Sequence, residues 1–156
     1  MSIPQEKRGG AAVGLIAELS GLEAASVIYL RLWSDGADAR LQVRNDFTTC
    51  LGTAQGHKAV RSLEELCSVC AKHGRRPLMR HSIHCKCLGS DESCFANFIA
   101  TATEGEREDA MLIATLLVRP DFAPLIAALA ADFGLALKRM HLSAPRELSP
   151  HSPTLH

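Results

Sequence analysis

At 156 residues the chain carries enough apolar material for one hydrophobic core and too little for two ordinary domains. Lys+Arg and Asp+Glu are each 17, so the formal net charge is zero, which excludes a general attraction to nucleic acid or anionic lipid and leaves only local patches. Aromatic residues are only 4% while alanine and leucine are abundant, a mix that suits closely packed helices better than sheets.

Residues 1–9 read as a polar, loose arm. The short apolar run that follows is interrupted by Glu18 and lacks the longer apolar core of a signal peptide. No uninterrupted apolar run approaches the ~18–20 residues of a bilayer span. With no secretion signal and a core of this size, the six cysteines read as thiols or metal ligands, and the compartment as cytoplasmic.

Leu15, Ile16 and Leu19 give the stretch Ala11–Leu19 helical spacing. Ser20-Gly-Leu-Glu23 matches a capping box, in which serine oxygen and glutamate carboxylate satisfy each other's backbone donors. It opens a helix over Leu22–Trp33 with Leu22, Ala25, Tyr29 and Leu32 or Trp33 on one face, stopped by Gly36. A rival reading pairs Val27–Trp33 with Arg40–Phe47 as a small β-hairpin around Asp35-Gly36; the cap favours helix. Val43, Phe47, Cys50 and Leu51 share the next helical face, closed by Gly52. Residues 52–58 read as a loop, and Ser62-Leu-Glu-Glu65 as a second capping box opening a short helix that Gly74 ends.

Arg75–Gly89 has no clear period and reads as a loop. A helix beginning at Ser90 or Asp91 turns Cys94, Phe95, Phe98, Ile99 and Ala102 inward and closes at Gly105. Glu106–Val118 is acidic at its start, where the helix dipole favours anions, and apolar on every side through Met111–Val118, the pattern of a buried central helix. Arg119-Pro120 breaks it, and the following helix buries Leu125, Ile126, Leu129 and Phe133 before Gly134. Leu135–Leu142 is ambiguous, and residues 143–156, with three prolines and several serines, read as a disordered tail. The predicted architecture is mainly α: an irregular single-domain helical bundle of about five to seven helices.

One stretch carries pointed chemistry. Cys67 to Cys87 holds four of the six cysteines and three of the seven histidines. Thiolates are soft and anionic, so two local cysteine pairs joined by a turn suit zinc or, less well, an iron–sulfur cluster. Cys67 and Cys70 lie one helical turn apart; Cys85 and Cys87 would complete a Cys₄ set, with His81, His84 or Cys94 as substitutes. The competing explanation is packing, because Leu63, Leu66, Cys67 and Cys70 form an ordinary buried helix face and free cysteine packs as a small hydrophobe. Cys50 and Cys94 fit their helix faces in the same way. Cys85 and Cys87 follow no buried periodicity, and His84, Lys86 and nearby arginines give them an electropositive setting that lowers a thiol pKa, the signature of a redox pair.

The same stretch has no acidic residue between Leu66 and Ser90, while Lys72, Arg75, Arg76, Arg80 and Lys86 are basic. Such a loop suits a nucleic acid backbone, although the low aromatic count removes a stacking platform. No Gly-rich phosphate loop, nucleophile elbow or zinc-protease motif is present. The sequence therefore points to a non-enzymatic accessory or regulatory protein with a metal-binding or redox-sensing loop. A DNA-binding regulator and a small thiol-dependent enzyme or sulfur carrier are the alternatives. The Ala-rich helices point to a protein partner or a second copy of the chain, and not to a membrane.

Overall fold

Helix starts and stops follow local chemistry along the computed structural model, which describes residues 9–143. The Ser20 hydroxyl accepts the Glu23 N–H at 3.3 Å and the Glu23 carboxylate accepts the Ser20 N–H at 3.3 Å, opening helix α1 (Gly21–Trp33). Gly36 and Gly52 then separate α1, α2 (Ala37–Leu51) and α3 (Thr53–His73), and Gly74 ends α3. After an irregular segment come α4 (Ser90–Thr103), α5 (Arg107–Leu117) and α6 (Ala123–Ser143). Two short strands, β1 (Ala12–Leu15) and β2 (Cys87–Gly89), pair antiparallel, and 3₁₀ turns follow β1 at Ile16–Glu18 and precede α6 at Pro120–Phe122. Six α-helices thus account for most of the described residues, in one domain.

Helix α6 is the axis of the bundle and touches each of the other five helices. Pro120–His141 has the length and apolarity of a bilayer span, and the fold uses that apolarity internally: Ile126, Ala130, Phe133 and Leu137 are buried. Phe133 stacks on Phe47 of α2 at 6.1 Å, and Phe47 meets the Tyr29 edge of α1 at 4.9 Å. A smaller apolar cluster of Val27, Leu88 and Ala96, flanked by Ile16 and Leu19, docks the strand pair onto α1 and α4.

Several expectations need correction. Residues 11–19 are a strand and a 3₁₀ turn rather than a helix, because β1 finds a ladder partner in β2, far away in sequence. Val13 and Leu15 are correspondingly exposed. The 27–47 hairpin does not form; both segments are helical. In α1 the expected Leu32 and Trp33 are buried, together with Val27, Leu30 and Arg31, whereas Leu22, Ala25 and Tyr29 of the expected face are only partly buried against the core.

Residues 52–58 are not a loop. Gly56 sits inside α3 because α2 crosses there: a Cβ on it would lie 2.6 Å from the Thr48 Cα. Ser62 is mid-helix rather than a cap, its hydroxyl donating to the Lys58 carbonyl. Gly134 likewise does not end α6; it lets the helix pass Ile99 and Thr103 of α4, and Leu135–Leu142 continues the same helix. Helix α5 is not the buried centre, since Leu112 and Leu116 are 66% and 67% exposed. The loop expected over 75–89 holds as far as Lys86, after which β2 begins. The expected arm and tail lie outside the described residues, apart from Gly9 and the last residue of α6.

Gly56→Ala separates helix propensity from packing. Propensity alone favours alanine by about 1 kcal/mol, whereas the α2 backbone leaves no room for the methyl group. The variant is expected to lose about 1–3 kcal/mol in urea denaturation; a gain in stability would show that the helices separate at no cost.

Candidate functional site

The irregular segment between α3 and β2 is held from inside by two neighbouring carboxylates in the first turn of α4. Asp91 accepts from the Arg76 guanidinium at 2.8 Å and from the Met79 N–H at 2.7 Å. Glu92, fully buried, accepts the His81 N–H at 3.1 Å and the Gly89 N–H at 2.9 Å. Acidic residues belong at a helix N-terminus, where the dipole and free N–H groups favour negative charge; here they also reach outward to fix the chain before the helix.

Arg31, only 2% exposed on α1, completes the arrangement. An arginine carries five N–H donors, and all five are used: Nε to Glu92 at 2.6 Å, Nη2 to Glu92 and to the Cys87 carbonyl at 2.8 Å each, and Nη1 to the Ser82 and Cys85 carbonyls at 3.0 and 2.7 Å. Burial alone would raise the Glu92 carboxyl; the hydrogen bonds from Arg31, Gly89 and His81 outweigh it and hold the group below the ordinary carboxylate range. Ile16 N–H donates to the Lys86 carbonyl at 3.0 Å. The carbonyls of Cys85, Lys86 and Cys87 are therefore all engaged, and the Cys-x-Cys segment is fixed from both sides.

On this frame the Cys85 N–H closes a turn onto Ser82 O at 3.0 Å, with His84 exposed at its corner. His81 Nε2 donates to the Gly10 carbonyl at 2.7 Å, which sets the tautomer and turns Nδ1 toward Cys85 Sγ, 3.4 Å away. Hydrogen bonding to His81, then to the Cys87 backbone and thiol, lowers the Cys85 pKa below the ordinary thiol value. The same contact with Cys85 raises His81. Each group favours the charged form of the other, so the pair tends toward thiolate and imidazolium.

The remaining cysteines are chemically opposite. Burial pushes the Cys67 and Cys70 thiols up to about 12, and raises Cys94. All six cysteines are free thiols. Cys67 and Cys70 lie on α3, Cys85 on the anchored loop and Cys87 at the start of β2, and the two pairs do not meet as one ligand set: among the described residues no three His, Cys, Asp or Glu side chains are grouped as a metal ion requires. His73 is engaged elsewhere, stacked on Phe122 at 3.8 Å and accepting from Arg119 at 2.9 Å.

The basic residues are also divided. Arg76 is paired with Asp91, Arg75 donates to the Thr115 carbonyl, Arg80 to the Leu78 carbonyl, and Lys72 and Lys86 are exposed. Arg31, Asp91 and Glu92 organise all of this and were absent from the sequence-derived site. A signal for Arg31 was present, as the only charge in the apolar stretch Val27–Trp33. Comparison of the chain with protein families, curated proteins and solved structures finds no match.

Glu92→Gln leaves a buried guanidinium without its counter-charge and is expected to cost about 3–5 kcal/mol in urea denaturation. Because the Glu92 pKa is depressed, its contribution is present above the ordinary carboxylate pKa and is lost as pH falls through the folded value. The apolar double substitution Arg31→Met/Glu92→Leu, which rescues many buried ion pairs, is not expected to recover stability here, since it removes the guanidinium donors from the Cys85 and Cys87 carbonyls and the acceptor from the His81 and Gly89 N–H groups; recovery to wild type would show that the backbone bonds contribute little.

The thiols give a second test. Iodoacetamide should modify Cys85 at least about 10-fold faster than Cys67 or Cys70 near neutral pH, with a pH midpoint below the ordinary thiol range. In His81→Gln the midpoint should move up, as read by peptide mass mapping; an unmoved midpoint would remove His81 from the site.

Proposed function

We propose that the chain is a non-enzymatic accessory or regulatory protein of the cytoplasm whose Cys85–Cys87 loop senses oxidants through thiol chemistry. The observation that carries this reading is the fixed His81–Cys85 contact at 3.4 Å, with the other imidazole nitrogen already committed to Gly10. A lowered thiol pKa, partial exposure and a second cysteine two residues on are the features of a sensor cysteine with a resolving partner.

The chemistry takes two steps. The Cys85 thiolate attacks a hydroperoxide oxygen; an S–O bond forms, the O–O bond breaks, sulfur is oxidised to sulfenic acid, and the leaving alkoxide or hydroxide takes a proton, for which His81 is the nearest donor. The Cys87 thiolate then attacks the Cys85 sulfur, forming S–S and releasing hydroxide, which is protonated to water. The first step consumes the thiolate that His81 faces, and the second replaces it with a neutral disulfide. His81 also holds Gly10 at the entry to β1, so the hold on the N-terminal strand is the element through which oxidation would be read.

Zinc or iron–sulfur binding by this loop has less support, because Cys67 and Cys70 belong to a different environment. Contact with nucleic acid has less support for a similar reason, since Arg76 is already neutralised by Asp91.

Stoichiometric hydrogen peroxide should remove two of the six free thiols, with the new disulfide mapped to Cys85–Cys87. In Cys87→Ser the oxidation should stop at a Cys85 sulfenic acid that dimedone traps. Oxidation falling first on Cys50, Cys67, Cys70 or Cys94, or Cys85 reacting no faster than a cysteine in an unfolded peptide, would overturn the reading.

A further inference from the structure

A second feature lies on the other side of the same loop. Between α1, α3 and residues 77–80 there is a cleft of about 580 Å³, within the range of small-molecule sites. Its walls include Leu30, Trp33, Leu78 and Phe95, with Cys67 and Cys70 between them. Those two thiols are neutral, because burial pushes them up to about 12, and so they present an apolar surface.

Arg40 and Arg80 also line the cleft. Among the described residues the side-chain ion pairs are Arg31–Glu92 and Arg76–Asp91, so neither of these guanidiniums has a carboxylate partner. Glu64 lies on the wall as well but pairs with neither. Both arginines line this one cleft together with Cys67.

Both are also held in place. Arg40 Nε donates to the Trp33 carbonyl at 2.7 Å, with its guanidinium 5.0 Å from the Trp33 ring centre. Arg80 sits between two clamped amides, Met79 N–H on Asp91 and His81 N–H on Glu92, and its Nη1 donates to the Leu78 carbonyl at 2.9 Å. Each guanidinium thus has one edge engaged and the rest of its donors available.

We infer that this cleft binds a small organic monoanion with an apolar body, its carboxylate on Arg40 and Arg80 and its hydrocarbon against the accessible wall of Ala71, Pro77 and Leu78. A planar guanidinium suits a carboxylate bidentately, and the apolar walls set the preference for a hydrocarbon body over a bare anion. This site is separate from the Cys85 chemistry and does not depend on it.

Trp33 is the only tryptophan in the chain, so its fluorescence reports on the cleft. Titration with octanoate, checked by calorimetry, should give a saturable change with one site per chain, while 1-octanol and inorganic phosphate should bind at least 10-fold more weakly. Arg80→Gln should weaken octanoate at least 10-fold. Ala71→Phe, which fills the cleft from an exposed wall position, should abolish binding; circular dichroism checks that both variants keep the fold. Absence of saturable binding to the wild type, octanol binding as tightly as octanoate, or unchanged affinity in both variants would overturn the assignment.

Discussion

The ion pair between Arg31 and Glu92 is the interaction on which the rest of the molecule's chemistry depends. Removing two charges from water costs several kcal/mol per ion, and a bare pair seldom recovers it. Here the recovery does not come from the pair alone. Every donor of Arg31 has an acceptor, and Glu92 accepts from two backbone amides in addition to the guanidinium. The pair acts as a substitute for secondary structure: it satisfies backbone groups of a segment that has neither helix nor ladder to satisfy them. An irregular chain can then pass close to the core with its carbonyls directed inward.

That role explains which parts of the molecule were legible in the sequence. Helices α1, α2 and α4 were readable because their signals are local: a capping box at Ser20, glycines at 36 and 52, an apolar period from Cys94 to Ala102. What misled was each place where a local signal served a distant contact. Gly56 and Gly134 resemble helix stops, yet each is where another helix approaches too closely for a side chain. Val13 and Leu15 fit a helix as well as a strand until β2 is known to lie beside them. Helix α5 is short and lies at the side of the bundle, so its unbroken apolar run leaves Leu112 and Leu116 facing outward, whereas the longer α6 occupies the centre.

The cysteines illustrate the same division. As a spacing pattern, Cys67, Cys70, Cys85 and Cys87 look like one set of four. The fold separates them by environment. The first two are part of a helix face, where a low dielectric keeps sulfur protonated. Cys85 meets an imidazole whose orientation is fixed by a carbonyl outside the loop. Sequence identified the half of the motif with no packing explanation, but the partner that gives it one, Arg31, lies more than fifty residues earlier and reaches it only through the fold.

Adjacent positions on α4 therefore control two different surfaces. Asp91 holds Arg76 and Met79, which bracket the cleft-lining Pro77 and Leu78; Glu92 holds His81 and Gly89, which bracket the two thiols of the loop. Arg80 stands between them with its flanking amides bonded to one carboxylate each. A rigid attachment of this kind limits how far either surface can move without disturbing the other, since a shift of the loop at Arg80 must break a bond to one of two buried or nearly buried acids. The order of the loop on both sides of Arg80 thus follows from a single turn of helix, together with the bonds that Arg31 supplies from the opposite side.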